Sequence, residues 1–281
     1  MITYGTDPEV FYTQGGKVLP AGMVFQDTIQ TDYGDLYVDG AALEYQPNAT
    51  PYIEDLVSNL TGLMDFALNL TYPTDVRIEV EPELPIDLTW CEKDPQLAIF
   101  GCDPDQSVWG EECRPATIDA SKHPWRYAGC HLHFGNAEDS LWFLKENRIE
   151  SICRALDRTI GLMSMWLSDN QDSKRRGIYG RPGIYRIQPW GLEYRTPSNC
   201  ILRSPTVFST VMETAGQVIG LVEDHAYREM EYVLPDDLVV STLRSSDVAL
   251  AGSLYRVMQN IFGLPELPER PSRDWRSSWG L

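Results

Sequence analysis

The heptapeptide GCHLHFG, residues 129–135, sets His131 and His133 two positions apart with Leu132 between them. Side chains at i and i+2 of a β-strand share a face, so the imidazoles point one way and Leu132 the other. The same spacing recurs in three further stretches. YGTDPEVFY (residues 4–12) offers Asp7 and Glu9, DGAALEYQP (39–47) offers Glu44 and Gln46, and WGLEYRTPS (190–198) offers Glu193 and Arg195. Val10, Leu43, Leu132 and Tyr194 alternate with these residues and are expected on the opposite face. The pattern describes antiparallel strands with an apolar back on a core and a carboxylate-lined front. Clustered carboxylates repel and raise one another's pKa unless cations neutralise them. The front therefore reads as a polynuclear divalent-metal site.

The chain has 281 residues, 43% hydrophobic and 23% charged, as expected of a globular protein with a sizeable core. Its net charge of −18 argues against broad binding to a phosphate backbone, which relies on Lys and Arg. No stretch approaches the ~20 apolar residues of a membrane span. The opening MITYGTDPEVF has neither the basic nor the apolar region of a signal peptide, so a cytoplasmic location is expected. Cys91, Cys102, Cys113, Cys130, Cys153 and Cys200 form no CxxC pair and read as reduced thiols. The glycosylation patterns at Asn48, Asn59 and Asn69 are then expected to be idle.

Working outward, residues 2–12 read as one strand, followed by a turn at Gly15-Gly16 and a short strand at 17–20. Residues 35–46 give a second strand signal. Thr50-Pro51 looks like a helix N-cap with proline in the first turn, ahead of an apolar stripe from Ile53 to Leu68 at i, i+3, i+4 spacing. Residues 75–81 alternate as a half-buried strand. Residues 82–125 read as an ordered excursion with short strands, including FGCDPD at 100–105, and residues 127–135 as a strand. A helix is expected over about 138–167, with Leu141, Leu144, Ile149, Ile152, Leu156, Ile160, Met163 and Leu167 as its stripe. A basic, glycine-punctuated loop over 173–189 leads to a last strand at 190–196. Helices at about 206–232 and 245–262 precede a tail at 264–281. One domain of strands flanked by helices accounts for the whole chain.

Asp7, Glu9, Glu44 and Glu193 supply from different strands the oxygen ligands that Mg²⁺ prefers. Asp39 joins them only if a bulge at Gly40 turns it to the front. His131/His133 alone suggests zinc, but beside several carboxylates one histidine joining an oxygen-rich magnesium site fits better. Arg175, Arg176, Arg181, Arg186 and Arg195 lie close to Glu193 in sequence, and guanidinium groups match phosphate and carboxylate oxygens. Metals and arginines on one face suit phosphoryl transfer. With neither a GxxxxGK[ST] loop nor a GxGxxG after a strand, a nucleotide-using fold here is neither P-loop nor Rossmann.

Taken in order, GTDPEVF, DGAALEYQPNAT, FGCDPD, GCHLHFG and RRGIYGRPGIYR…GLEYRTPSN resemble the phage-type carboxylate–amine ligases, COOH·NH2 ligase type 2. These belong to the glutamine synthetase and glutamate–cysteine ligase superfamily, and the motifs span residues 5–199. The resemblance implies an α+β, glutamine synthetase-like domain, a curved and mainly antiparallel sheet with helices on its convex face. It implies ATP-dependent amide formation through an acyl phosphate, with Mg²⁺ or Mn²⁺ as cofactor and small-molecule or peptide carboxylates and amines as substrates. Asp7, His131 and Glu193 would share one metal, and Glu9 and Glu44 another. Arg195 would steady the transferring phosphoryl group; Arg176, Arg181 and Arg186 would hold phosphates or the carboxylate substrate. His133 falls where relatives vary, and oligomers occur among them. A metal-dependent hydrolase using the HxH strand, and a catalytically silent binding protein of the same fold, remain alternatives.

Overall fold

The computed structural model describes residues 2–72, 74–98, 106–110, 118–135 and 148–281. FGCDPD, Cys102, Cys113 and the segment 138–147 with Leu141 and Leu144 lie outside the described residues.

The expected first strand is two strands, β1 (Thr3–Thr6) and β2 (Glu9–Gln14). Pro8 lacks an N–H, so the ladder breaks at Asp7-Pro8 and the two halves enter different sheets. After β3 (Lys17–Leu19) and β4 (Ile29–Thr31), the signal at 35–46 resolves into a hairpin of β5 (Gly34–Asp39) and β6 (Ala42–Pro47). Its turn uses Gly40 at φ 53°.

The remaining strands are β7 (Arg77–Glu79), β8 (Glu83–Pro85), β9 (Gln106–Ser107), β10 (Trp125–Tyr127), β11 (Leu132–Gly135), β12 (Ile184–Gln188) and β13 (Gly191–Tyr194). The stretch 127–135 is thus split, because β10 leaves to pair with β8.

One antiparallel sheet runs β1-β11-β13-β12-β9 and another β3-β2-β6-β5-β4, with β7 also on β2. They are stitched where Tyr4 of β1 bridges Thr50 beyond β6, with both backbone bonds made, at 2.8 and 3.0 Å. Together they form the curled antiparallel sheet of an α+β fold.

That bridge also corrects the helix start. Thr50 is engaged with Tyr4, so α1 (Ile53–Thr71) is capped at Tyr52, and Glu54 and Asp55 face the positive end of its dipole. Leu56, Leu60, Leu63, Met64 and Ala67 are fully buried and pack against the back of the sheet, in one cluster with Val10, Leu43, Leu132 and Tyr194.

After short α2 (Thr89–Lys93), the expected long helix is seen as α3 (Ile149–Leu156), one wide π turn (Asp157–Gly161) and α4 (Leu162–Ser168). The basic loop is partly ordered as α5 (Ser173–Ile178) and β12. The expected helix at 206–232 is α6 (Pro205–Glu223) and α7 (Tyr227–Val233), interrupted at His225 with φ 64°. An unforeseen α8 (Asp236–Arg244) precedes α9 (Val248–Phe262). In the tail, α10 (Trp275–Trp279) buries both tryptophans. The stretch α6 packs on α1 and α3, which places the helical layer behind the sheets and leaves the carboxylate face open.

Candidate active site

The break at Asp7-Pro8 puts Asp7 at the seam between the sheets, and the other site residues converge on it. His131 Nδ1 lies 3.0 Å from Asp7 Oδ1 and 3.7 Å from Glu193 Oε1, while His133 Nε2 lies 3.3 Å from the same Asp7 oxygen. Register explains this. Gly5, His133, Glu193 and Arg186 stand opposite one another across β1, β11, β13 and β12, so one row of side chains crosses the sheet. Glycine at position 5 matters to the row, because a Cβ there would sit 3.3 Å from that of His133.

A second row comes from the other sheet. Glu9 of β2 pairs with Glu44 of β6, and the hairpin turn brings Asp39 beside them. The hairpin, not a bulge, supplies Asp39. Ligand atoms of Glu9, Asp39 and Glu44 lie within 4.8 Å of one another, as do those of Asp7, His133 and Glu193. Both groups open into one cleft of about 690 Å³, also lined by Gln46, Tyr179, Arg186, Gln188, Trp190 and Arg195.

The two groups differ electrically. Burial, reinforced by Asp39 and Asp7, pushes the Glu9 carboxyl up to about 8 despite a 2.7 Å hydrogen bond from the Gly129 N–H. Burial and the charges of Asp7, Glu9 and Asp39 push Glu44 up to about 9, and burial raises Asp39 as well. Burial also acts on Asp7, yet His131 and His133 outweigh it and hold that carboxyl well below its usual value. Glu193 is likewise lowered against burial, by His131 and Arg195. Asp7 Oδ1, His133 Nε2 and both ring nitrogens of His131 are buried and, apart from the close approaches of the two imidazoles to Asp7, find no hydrogen-bond partner among the described residues. Buried carboxyl groups gathered beside imidazole nitrogens make up the kind of oxygen-rich donor set that a divalent cation takes. The donor set fits Mg²⁺ or Mn²⁺, with imidazole as the nitrogen ligand.

Arginines close the cleft. Arg195 donates to Glu193 Oε1 and, at 3.3 Å, to the Tyr179 hydroxyl. Arg186 approaches Glu193 Oε2 at 3.7 Å, and Gln188 donates to that oxygen at 2.7 Å. Arg175 lies fully buried beneath and donates to the carbonyls of Thr196 and Arg195 at 3.0 and 3.4 Å. Arg176 and Arg181 do not line the cleft. Arg176 pairs with Asp172 at 2.8 Å, and Arg181 donates to the Gly177 carbonyl at 2.9 Å, both beside a separate hollow near Ser245. Arg176 lies within α5 and Arg181 just beyond it, a placement that proximity in sequence could not show.

Residues 119–267 match the family described as phage phiEco32-like COOH.NH2 ligase-type 2. The chain belongs to this family of carboxylate–amine ligases. The matched span holds His131, His133, Glu193 and Arg195 of the cleft, while Asp7, Glu9, Asp39 and Glu44 precede it. The crystal structure of a bifunctional glutathione synthetase from Pasteurella multocida is similar over 99% of this chain, at 11% identity and a TM-score of 0.42. The chain spans about half of that protein, 51% of its length. No curated protein sequence matches.

Sequence reasoning passed over Tyr179, Gln188 and Trp190, which also line the cleft. Gln188 stands two residues from Arg186 in RIQ, the same spacing that marked the other strands, but it was read as loop. Trp190, whose ring lies 4.7 Å from that of His133, and Tyr179 carry no comparable signal. Among the described residues, no helix is long and apolar enough to cross a membrane. Cys91, Cys130, Cys153 and Cys200 are free and buried.

Proposed function

We propose that the protein is an ATP-dependent carboxylate–amine ligase that forms an amide through an acyl phosphate. The observation that carries this reading is the meeting of two three-donor groups with Arg186 and Arg195 in one cleft. Asp7, Glu193 and His133, with His131 on the buried side, would hold one divalent cation, and Glu9, Asp39 and Glu44 another. Such cations supply charge neutralisation for the polyphosphate and its developing transition state. Arg195 is positioned by Glu193 and Tyr179 to follow the transferred phosphoryl group, and Arg186 to hold a phosphate oxygen. The substrate carboxylate attacks the γ-phosphorus of ATP and ADP departs. The amine then adds to the acyl carbon and inorganic phosphate leaves, giving the amide.

The test is phosphate release from ATP in the presence of Mg²⁺ and pooled carboxylates and amines. The reading predicts release that needs ATP, a carboxylate and an amine together and is abolished in Glu193→Ala. Near-normal release in that variant contradicts it. Hydrolysis of an amide without ATP would favour a metal-dependent hydrolase instead.

A further inference from the structure

Behind the strand that carries Glu193 and Arg195 lies a buried carboxylate that the proposed chemistry does not use. Asp157 is fully buried and opens the π turn between α3 and α4. Single π turns inside α-helices insert an extra residue and occur frequently at functional sites. The Tyr194 hydroxyl donates to Asp157 Oδ1 at 2.5 Å, and the Thr196 hydroxyl approaches that oxygen at 3.4 Å. Trp109 Nε1 donates to Oδ2 at 2.5 Å, and the Gly183 backbone N–H adds a further bond.

Tyr194 and Thr196 alternate with Glu193 and Arg195. One carboxylate therefore holds Tyr194 from behind, with Thr196, whose hydroxyl donates to the Arg181 carbonyl at 3.1 Å, close beside it, while Glu193 and Arg195 face the cleft. The approach is close. A Cβ on Gly161, one turn on, would lie 3.3 Å from the Tyr194 hydroxyl and 3.4 Å from Asp157 Oδ1. The platform is itself braced: Arg154 and Arg158 both pair with Asp236, and the Arg154 guanidinium stacks 4.6 Å over Trp109. A core built only for stability would favour an apolar residue here, because a buried carboxylate left with any bond unmade is costly.

We infer that Asp157 is a positioning residue, which fixes the Glu193 carboxylate against Asp7 and His133 and so sets the affinity of that cation position. The inference rests on the cation-binding reading of the cleft. The two substitutions act on the grip in different ways. Asp157→Asn places an amide N–H against one of the donors now pointing at it, and Tyr194→Phe removes a single hydroxyl.

Mn²⁺ titration of the full chain, followed by calorimetry and by electron paramagnetic resonance, tests this. The parent protein should bind two ions. Both variants lose at least tenfold in affinity at one position and keep the other within twofold. Substituting Glu193 itself in the same series should abolish the position that the two variants weaken. A merely structural role would weaken both positions together, in step with a loss of folded protein seen by circular dichroism. That outcome overturns the inference, as does unchanged binding of both ions in folded Asp157→Asn and Tyr194→Phe. Absence of Mn²⁺ binding in the parent protein overturns the reading of the cleft, and the inference with it.

Discussion

At the scale of single residues, the site is a balance of charges that are complete only with cations. A carboxyl whose folded pKa is raised binds its proton more tightly folded than unfolded. It contributes stability below the unfolded value and loses it as pH rises through the folded one. Glu9 and Glu44 go from 4.5 to about 8 and about 9, while burial lowers His131 from 6.5 and acts in the opposite sense below that value, so the metal-free protein should melt at progressively lower temperature from pH 7 to pH 9. Asp7 and Glu193 shift the other way, in a window below their ordinary values of 3.8 and 4.5, and do not mask the effect. Saturating Mn²⁺ should flatten the decline, since it binds the folded state alone and competes with those protons. Differential scanning calorimetry with and without metal checks both statements. Arg195→Gln should lower turnover roughly 10²–10³-fold with the fold intact, the usual consequence of removing a donor to developing charge. Steady-state phosphate release measures it. Alternation correctly set Glu9, Glu44, His133 and Glu193 on strands whose polar side lines the cleft, whereas Asp7 reaches it through the break in the ladder at Pro8. Tyr179 was not legible, because a residue at a helix end has no period to betray it.

At the scale of elements, the site depends on where strands stop as much as on where they run. Pro8 ends one ladder and hands Asp7 to the seam, and Gly40 turns a strand into the hairpin that delivers Asp39. Gly191 has φ 152°, and a Cβ there would meet the Phe134 carbonyl oxygen at 2.1 Å. Gly191→Ala should therefore cost on the order of 2–4 kcal/mol and disturb the β11–β13 pairing beneath His133 and Glu193. Chemical denaturation gives the first figure, and loss of Mn²⁺ binding in the folded fraction reports the second. Leu63→Ala, in the fully buried stripe of α1, should cost about 2–5 kcal/mol while metal affinity in folded protein stays unchanged, because that helix lies behind the sheet. The α1 stripe was plain in the sequence since one face repeats over five turns. The break at His225 and the existence of α8 were hidden, because short helices are decided by tertiary packing more than by pattern.

At the scale of the molecule, antiparallel pairing and an acid-lined front followed from alternation, while the α+β class came from the family resemblance. The division into two stitched sheets did not, since it hangs on which partner each strand finds across long separations in the chain. The placement of Arg176 and Arg181 away from the cleft is of the same kind. Net charge adds a global term. A chain at −18 with its carboxylates gathered in a cleft repels a polyphosphate until cations reverse the local sign. Nucleotide binding should therefore be conditional on the metal, and this is the most direct test of the account. Isothermal titration of a non-hydrolysable ATP analogue into the protein, with and without Mg²⁺, should show binding only with Mg²⁺ and none in Glu193→Ala. Binding of equal strength without the metal, or binding retained in that variant, would contradict the assignment of the cleft.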